Sequence, residues 1–255
     1  MLKKILVIPL QKLDLLSAVS MRLVQLTGKH SYPVHPKHLI EDKVLYSKYL
    51  KKSDVVLDLG CGNRLNLLKI AKKIKKAIGL EVDTKLINLA RSEAKTRSLK
   101  NVRFLVADAN KKLPFDDAKF SKVICSDVLE HLNRRVFAIK EIRRVLIKSG
   151  FLLLVTDNPQ TSWKKLQKSV GLFYYADKDH KYEYSKSEIL KLLQKNKFNV
   201  KSVDYVTYDT PLRGIIDLTG GISLTFYKKL KSAREQLAKN FPQETTGFRI
   251  IAQKL

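Results

Sequence analysis

Short apolar runs alternate with longer segments of mixed polarity between about residue 50 and residue 157. The apolar runs are typical of buried strands, and the segments between them carry apolar residues at helical spacing. The runs predict strands at 55–58, 77–81, 102–107, 120–126 and 151–156. The segments predict helices at 67–76, 84–98 and about 132–147. Because strands and helices alternate, we predict a parallel sheet covered by helices.

The pattern changes before the first predicted strand. Apolar residues at near-helical spacing are Leu13, Leu16, Val19, Leu23 and Leu26. Gly28 is a candidate C-cap of that helix, and a loop with His30, His35 and His38 around two prolines follows it. We therefore predict an N-terminal helical extension with a histidine- and proline-containing loop over residues 1–45.

The alternation is also weaker after the fifth predicted strand. Residues 158–184 are rich in tyrosine and are predicted to be irregular. Ser185 and Glu188 form a capping-box pattern that predicts the start of a helix. Two late strands are predicted, at 200–208 and 248–254. We assign residues 46–255 to a single α/β domain, in which 158–247 contains insertions.

The chain is strongly basic. Its 255 residues carry 50 Lys and Arg against 24 Asp and Glu, a formal net charge of +26, while 44% hydrophobic residues support a packed core. Such a surface favours contact with a polyanion, either RNA or an anionic membrane surface. The alternative is that the lysines only solvate the surface.

The cysteines and the N-terminus bear on the compartment. Cys61 and Cys125 have no partners in a disulfide framework, so we expect a reducing environment and no structural disulfide. The apolar run near the N-terminus is too short for a membrane span, and no clean signal-peptide cleavage site follows it. We therefore expect a cytoplasmic protein, with peripheral contact at an anionic membrane surface as an option.

The stretch VVLDLGCGN, residues 55–63, carries the clearest ligand-binding pattern. A buried strand ends near Asp58, and Gly60-Cys61-Gly62 then turns the chain, which suits a cofactor at the carboxyl end of a strand. Asp58 would repel a pyrophosphate but favour a cation, and Leu65 stands where a dinucleotide fingerprint has its third glycine. The turn therefore favours a cationic, adenosine-containing cofactor, and S-adenosyl-L-methionine fits that description.

Four motifs in order resemble the class I S-adenosylmethionine-dependent methyltransferases of the broad methyltransferase-11 type. They are VLDLGCGN, IGLEVDTKLINLAR, FLVADANKKLPFDDAKFSKVICSDVLEHL and RRVLIKSGFLLLVT. The resemblance covers about residues 50–157 and implies a methyltransferase with an α/β, Rossmann-like doubly wound fold. It also implies a mostly parallel seven-stranded sheet with an antiparallel last strand. The sequence departs from the family at Asn63-Arg64, where a further glycine is common, and at Ile147-Lys148-Ser149, where Lys-Pro-Gly is usual.

The resemblance also implies which residues line the cofactor. Those in the first turn are Asp58, Gly60, Cys61 and Gly62. Glu81, followed by Val82, would accept hydrogen bonds from the ribose hydroxyls, with Asp83 as a nearby competitor. Asp108 and the Ala109 backbone would contact the adenine, and Ser126 would approach the cofactor through its backbone.

Methyl transfer is an in-line displacement, and a hydroxyl acceptor would usually also need a base. We assign His131 and Asp127, after the fourth strand, as catalytic candidates, and we assign no metal ligand. Resemblance to ubiquinone-pathway O-methyltransferases implies the alternative that Asp127, Glu130 and His131 bind a divalent metal, and in a third interpretation Glu130 and His131 only cap or pack. Asp157 and His180 are weaker candidates for the same region.

The acceptor is predicted by exclusion. Methylases of exocyclic amines in nucleic acids carry an Asn/Asp-Pro-Pro-aromatic motif after the fourth strand, and this chain has SDVLEH there, which argues against that activity. Methylation of pyrimidine C5 needs a nucleophilic cysteine, commonly after a proline, whereas Cys125 lies inside a predicted strand, which argues against that activity too. We predict O- or N-methylation of a small-molecule, lipid-linked or glycan acceptor, with residues 158–247 on the acceptor side. The alternatives are an RNA methyltransferase, favoured by the charge, and a non-catalytic cofactor-binding or scaffold protein.

Overall fold

The computed structural model describes the backbone of residues 2–27, 33–40, 46–62 and 66–255. Gly28, His30 and the Asn63-Arg64 turn lie outside the described residues, as does the side chain of His38. The chain divides into two compact units. The first, called here the helical unit, comprises residues 1–42, 158–176 and 205–247. The second, called the sheet unit, comprises residues 43–157, 177–204 and 248–255.

One seven-stranded sheet, in the order β3-β2-β1-β4-β5-β7-β6, organises the described part of the sheet unit. Its strands are β1 Val55–Leu59, β2 Lys76–Glu81, β3 Val102–Val106, β4 Phe120–Ser126, β5 Leu146–Asp157, β6 Phe198–Tyr205 and β7 Gly247–Lys254. β1 pairs in parallel with β2 and β4, β2 with β3, and β4 with β5, while the last strand is antiparallel. The predicted fold class is therefore confirmed.

Helices follow the strands of the sheet unit as predicted. They are α4 Asn66–Ile70, α5 Thr84–Thr96, α6 Arg135–Val145 and α8 Lys186–Lys195. The capping box at the start of α8 is confirmed, because the Ser185 side chain accepts from the Glu188 amide and Glu188 accepts from the Ser185 amide. Apolar residues of β1, β2 and the helices after them form one buried cluster that includes Val56, Leu67 and Ile87.

Two predicted boundaries in the sheet unit are wrong. The helix predicted at 67–76 ends at Ile70 and continues only as a short 3-10 turn, Ala71–Lys73, because β2 already begins at Lys76. The helix predicted to reach residue 147 ends at Val145, and β5 begins at Leu146. The register shows why: Phe120 pairs with Leu146 but Lys122 pairs with Phe151, so an irregularity in β5 takes up the residues between.

The helical unit contains the N-terminal helices and most of the region predicted to carry insertions. Its helices are α1 Leu2–Lys12, α2 Leu15–Leu26, α3 Lys37–Ile40, α7 Ser162–Ser169, α9 Arg213–Ile222 and α10 Leu224–Asn240. The interpretation of 158–184 as irregular is wrong at α7, whose first turn is capped by Thr161. No described helix has the length and apolar character needed to cross a membrane.

Buried polar contacts and small residues hold α2 against α9. A Cβ at Gly214 would overlap the backbone carbonyl of Leu13, just before α2, and a Cβ at Gly221 would lie 3.2 Å from the Ser20 carbonyl in α2, so α9 approaches this segment closely. Asp217 is buried between them and accepts hydrogen bonds from Ser17 (2.6 Å) and from Tyr227 (3.3 Å). The Nε2 atom of His35 lies 3.2 Å from the same carboxylate, which ties the described end of the histidine loop to α9.

Candidate active site

The glycine turn after β1 is closed by hydrogen bonds to the end of β2. Gly60 and Gly62 adopt φ angles of 68° and 51°, which glycine adopts without steric cost. The amides of Gly60 and Cys61 donate to the carbonyl of Leu80 at 2.7 Å and 3.0 Å. The turn therefore sits at the carboxyl ends of two adjacent parallel strands, where open α/β sheets bind their ligands.

Close packing fixes the shape of this turn. A Cβ at Gly60 would overlap the Val128 side chain, and one at Gly79 would lie 2.7 Å from Phe104 Cδ1 and 2.8 Å from Cys61 Sγ. Cys61 is thus packed beneath the turn. Burial raises the pKa of the Cys61 thiol, and the charges of Asp58 and Glu81 raise it further, so this thiol is not an activated nucleophile.

The contact between Gly60 and Val128 can be tested by substitution. We expect Gly60→Ala to weaken S-adenosylmethionine binding by about tenfold to thirtyfold, because a left-handed alanine costs about 1–2 kcal/mol and the methyl group must displace Val128. Isothermal titration calorimetry measures the loss. Adding Val128→Ala should restore part of the affinity by removing the overlap.

Gly171→Ala is the matched control for Gly60→Ala, because Gly171 has a φ angle of 73° with nothing near its missing Cβ. The control should leave cofactor affinity unchanged. Equal losses in both single variants, or no recovery in the double variant, would show that contact with Val128 does not shape the cofactor turn.

Glu81 connects the tip of β2 to the glycine turn. Its Oε2 atom accepts from the Gly62 amide at 3.0 Å, and Oε1 accepts from the amides of Val82 (2.8 Å) and Asp83 (3.2 Å). Asp83 itself caps α5, accepting from the amides of Lys85 and Leu86. Of the two acids that the sequence offered here, Glu81 faces the turn and Asp83 is engaged in capping.

Burial differs among the other predicted cofactor residues at the carboxyl edge of the sheet, which are Asp58, Val82 and Ala109. Asp58 is buried near the end of β1, whereas Val82 is largely exposed after β2. Ala109 is buried beside Asp108, whose Oδ1 accepts from the amide (2.8 Å) and the side-chain Nδ2 (3.0 Å) of Asn110.

Asn110 links two loops at this edge of the sheet, a contact that the sequence did not indicate. Its Oδ1 atom accepts from the backbone amides of Asn133 (2.9 Å) and Arg134 (3.0 Å). The loop after β3 is thereby fixed to the segment that follows β4. The Asp108-Ala109-Asn110 pattern indicated a local Asx turn, but the long-range role of Asn110 depends on the tertiary fold.

The exit of β4 carries the predicted catalytic residues. Ser126 pairs with Val155 of β5, and the Asp127 amide donates to the Val155 carbonyl at 3.0 Å. Asp127 has a φ angle of 54°, an unusual conformation for a residue other than glycine and one often found at functional sites. His131 ends the short 3-10 turn Leu129–His131 that follows.

His131 is half-buried and packs edge-to-face on His180, with ring centroids 4.5 Å apart. Burial lowers the pKa of His131, and the neighbouring His180 lowers it further. For His180, burial is outweighed by the hydrogen bond to Glu183 and the charge of Asp157, so its pKa is raised. In this pair the shifts favour the neutral form of His131 and the charged form of His180.

Glu130 is fully buried beside this pair, in a cluster of acidic and imidazole groups. Its carboxylate, that of Asp157 and the His180 imidazole offer ligand atoms within 4.8 Å of one another. This grouping differs from the alternative trio of Asp127, Glu130 and His131, since it combines Glu130 with the two weaker candidates of the sequence interpretation. Glu183, which no sequence pattern indicated, lies 2.8 Å from His180 Nδ1.

The strand order is that of the Rossmann-like class I methyltransferase fold, and the glycine turn after β1 and the acid at the tip of β2 lie at its carboxyl edge. Within that class, residues 57–154 match the sequence model of the family described as a methyltransferase domain, the methyltransferase-11 type. The match confirms the resemblance predicted from the four motifs over residues 57–154, and it indicates S-adenosyl-L-methionine as the cofactor.

Relatives with curated names share parts of this chain. The methyltransferase YcgJ of Bacillus subtilis is 32% identical over 100 residues, which are 39% of this chain and 39% of YcgJ. The ubiquinone biosynthesis O-methyltransferase of Pelagibacter ubique is 27% identical over 180 residues, 68% of this chain and 73% of that protein. A solved S-adenosylmethionine-dependent methyltransferase of Methanosarcina mazei has the same fold, with a TM-score of 0.59 and 22% identity over 84% of this chain and 98% of its own.

Proposed function

We propose that the chain transfers a methyl group to an oxygen or nitrogen of a lipid-linked small acceptor. The single observation that carries methyl transfer is the Glu81 carboxylate, held by Gly62 at the glycine turn. In this proposal Asp58 and the turn Gly60-Cys61-Gly62 hold the methionine portion of the cofactor. Glu81 accepts hydrogen bonds from the ribose hydroxyls.

The remaining predicted cofactor residues complete the same pocket in this proposal. Asp108 and the backbone of Ala109 contact the adenine, Val82 covers the ribose side, and the backbone of Ser126 borders the methionine portion. The hydrogen bonds from the amides of residues 133 and 134 to Asn110 support this arrangement, because they fix the loop after β3, which carries Asp108, to the segment that carries His131.

When bound, S-adenosylmethionine supplies an electrophilic methyl group on a sulfonium. The residues of the chain orient the acceptor in line with that methyl group and exclude water from it. Asp127 and His131 lie where β4 ends, and we assign His131 the role of accepting the proton of an acceptor hydroxyl at its unprotonated ring nitrogen. The lowered pKa of His131 is consistent with a neutral ring available for this step.

The surface of the helical unit supports a lipid-linked acceptor rather than a freely diffusing one. In α1, the exposed apolar residues Ile5 and Leu6 follow the exposed lysines Lys3 and Lys4, and Lys12 closes the helix. Exposed apolar side chains recur in this unit at Leu15, Val19, Leu26, Ile222 and Phe226. Apolar side chains flanked by lysines bind at an anionic lipid surface by partial insertion and charge attraction. The named ubiquinone-pathway relative is consistent with an acceptor of this kind.

We expect the protein to sediment with vesicles of phosphatidylglycerol but not with vesicles of phosphatidylcholine. Ile5→Glu combined with Leu6→Glu should reduce this binding about tenfold or more, because two inserted apolar side chains are lost and two charges of the wrong sign are added. The matched control is Leu89→Glu with Val136→Glu, two exposed apolar residues on helices of the sheet unit. The control should bind as the wild type does.

The net charge of +26 favours a second candidate, an RNA methyltransferase. Mobility shifts with total RNA at rising salt separate the two proposals, since neutralising many phosphates makes RNA binding steeply salt-dependent. Tight RNA binding that survives the Ile5→Glu/Leu6→Glu change, with no retention on anionic vesicles, would replace the lipid proposal. A wild-type protein that fails to bind S-adenosylmethionine in calorimetry would instead favour the non-catalytic scaffold.

A further inference from the structure

We propose that Glu130, Asp157 and His180 bind a divalent metal ion beside the candidate base His131. The three side chains belong to the sheet unit and place their ligand atoms within 4.8 Å of one another. Metal–ligand bonds of about 2.1 Å put ligand atoms up to about 4.2 Å apart, so a small side-chain adjustment closes the site on an ion.

Glu130 is the observation that indicates a ligand. It is fully buried, and neither of its carboxylate oxygens has a hydrogen-bond partner among the described residues. A buried carboxylate without hydrogen bonds is costly unless a cation or a proton compensates its charge. The carboxylates of Asp157, Asp127 and Glu183 interact unfavourably with the negative charge of Glu130, which adds to this cost. A cation bound here relieves both the missing contacts and the repulsion.

His180 is positioned as metal-binding histidines usually are. The Glu183 carboxylate, itself buried, lies 2.8 Å from its Nδ1 atom. A carboxylate that accepts the ring N–H of a histidine fixes the tautomer and leaves the other nitrogen to bind an ion. The Asp157 side chain is 24% exposed, which gives an ion a route from solvent.

The backbone preforms this arrangement. The carbonyl of Glu130 accepts from the amides of Lys181 (2.7 Å) and Tyr182 (3.2 Å), which joins the β4 exit to the segment that carries His180. Three residues after Tyr182 that segment enters the capping box of α8, at Ser185. Hydrogen bonds thus hold together the two segments that carry Glu130 and His180, and the third ligand, Asp157, is the last residue of β5.

The donor set indicates the kind of ion. Two carboxylates and one imidazole suit Mn²⁺, Co²⁺ or Zn²⁺ better than Mg²⁺, which prefers oxygen ligands only. The edge-to-face contact of His180 with His131 places the ion next to the proposed base. A cation there would favour the ionised form of an acceptor hydroxyl. The site is a property of the fold and can be tested without knowing the acceptor.

Titration of the metal-free full chain with CoCl₂, followed by visible absorption and calorimetry, tests this site. We expect one Co²⁺ per chain, displaced by Zn²⁺, and a higher melting temperature with the ion bound. Glu130→Gln and His180→Ala should each weaken binding at least about tenfold, and Glu183→Gln should weaken it less. Asp116→Asn, the same kind of change at an exposed carboxylate of the sheet unit, should bind as the wild type does.

The proposal is overturned if the wild type shows no absorption band and no heat at millimolar Co²⁺, Mn²⁺ or Zn²⁺. It is equally overturned if folded Glu130→Gln binds Co²⁺ as tightly as the wild type. Circular dichroism checks the fold of each variant. Asp157→Asn, at a partly exposed position, replaces any variant that does not fold and must lose Co²⁺ affinity for the proposal to stand.

Discussion

Glu81→Ala is expected to raise the dissociation constant for S-adenosylmethionine about a thousandfold. The carboxylate would accept hydrogen bonds from both ribose hydroxyls, and hydrogen bonds to a charged group are worth about 1.5–3 kcal/mol each. The same change removes the acceptor of the Gly62 amide, so the glycine turn also loses its link to β2. The ligand contact and the shape of its pocket are lost together.

Asp83→Ala is the control for Glu81→Ala, measured by the same calorimetric titration. Asp83 lies two residues away and caps α5, so its loss should cost about 1 kcal/mol of folding stability but little cofactor affinity. Glu81→Gln keeps the size of the side chain and should fall between wild type and Glu81→Ala. If Asp83→Ala loses the cofactor while Glu81→Ala binds normally, the ribose contact belongs to Asp83.

The strand-end register that underlies this prediction could be taken from the sequence. Apolar runs bounded by polar residues set β1, β2 and β4 to within a residue, because a buried parallel strand needs a continuous apolar stretch. The choice of Glu81 over Asp83 also followed from its place at the tip of β2. What the sequence lacked was the bond from Gly62 to Glu81, which depends on the path of the turn.

The wrong boundaries have physical causes. Ile147-Lys148-Ser149 continues an amphipathic pattern and lacks the usual Lys-Pro-Gly, so a helix was predicted through residues that form an irregular part of β5. Ser149 has a φ angle of 60° there, and because this conformation is usually taken by glycine, a serine at this position gave no sign of it. The α7 helix was missed because its eight residues include only two large apolar side chains, Trp163 and Leu166, and the Thr161 cap marks its start.

The cluster around Glu130 shows where sequence reasoning about the site ends. Glu130 and His131 are adjacent in sequence, which favoured a shared role, yet the side chains grouped with Glu130 are those of Asp157 and His180. Their meeting depends on how the segment after residue 177 returns to the β4 exit. Only the backbone bonds from Lys181 and Tyr182 to Glu130 show that path.

His131→Ala is expected to leave S-adenosylmethionine affinity unchanged and to lower methyl transfer about a hundredfold, the usual contribution of a general base. The measurement is transfer of labelled methyl to the fraction of lipid, glycan or RNA that the wild type labels. His131 belongs to the turn after β4 and not to the glycine turn, so the cofactor pocket should persist. Added imidazole should restore part of the rate, because a small base can occupy the space left by the ring.

Imidazole rescue separates a base from a packing residue. His131 packs edge-to-face on His180, so its removal could act only by loosening that contact. In that case His131→Phe, which keeps an aromatic ring at this position, would retain activity, and imidazole would not restore the rate of His131→Ala. Full activity in His131→Phe would assign His131 to packing and leave Asp127 as the candidate base at the β4 exit.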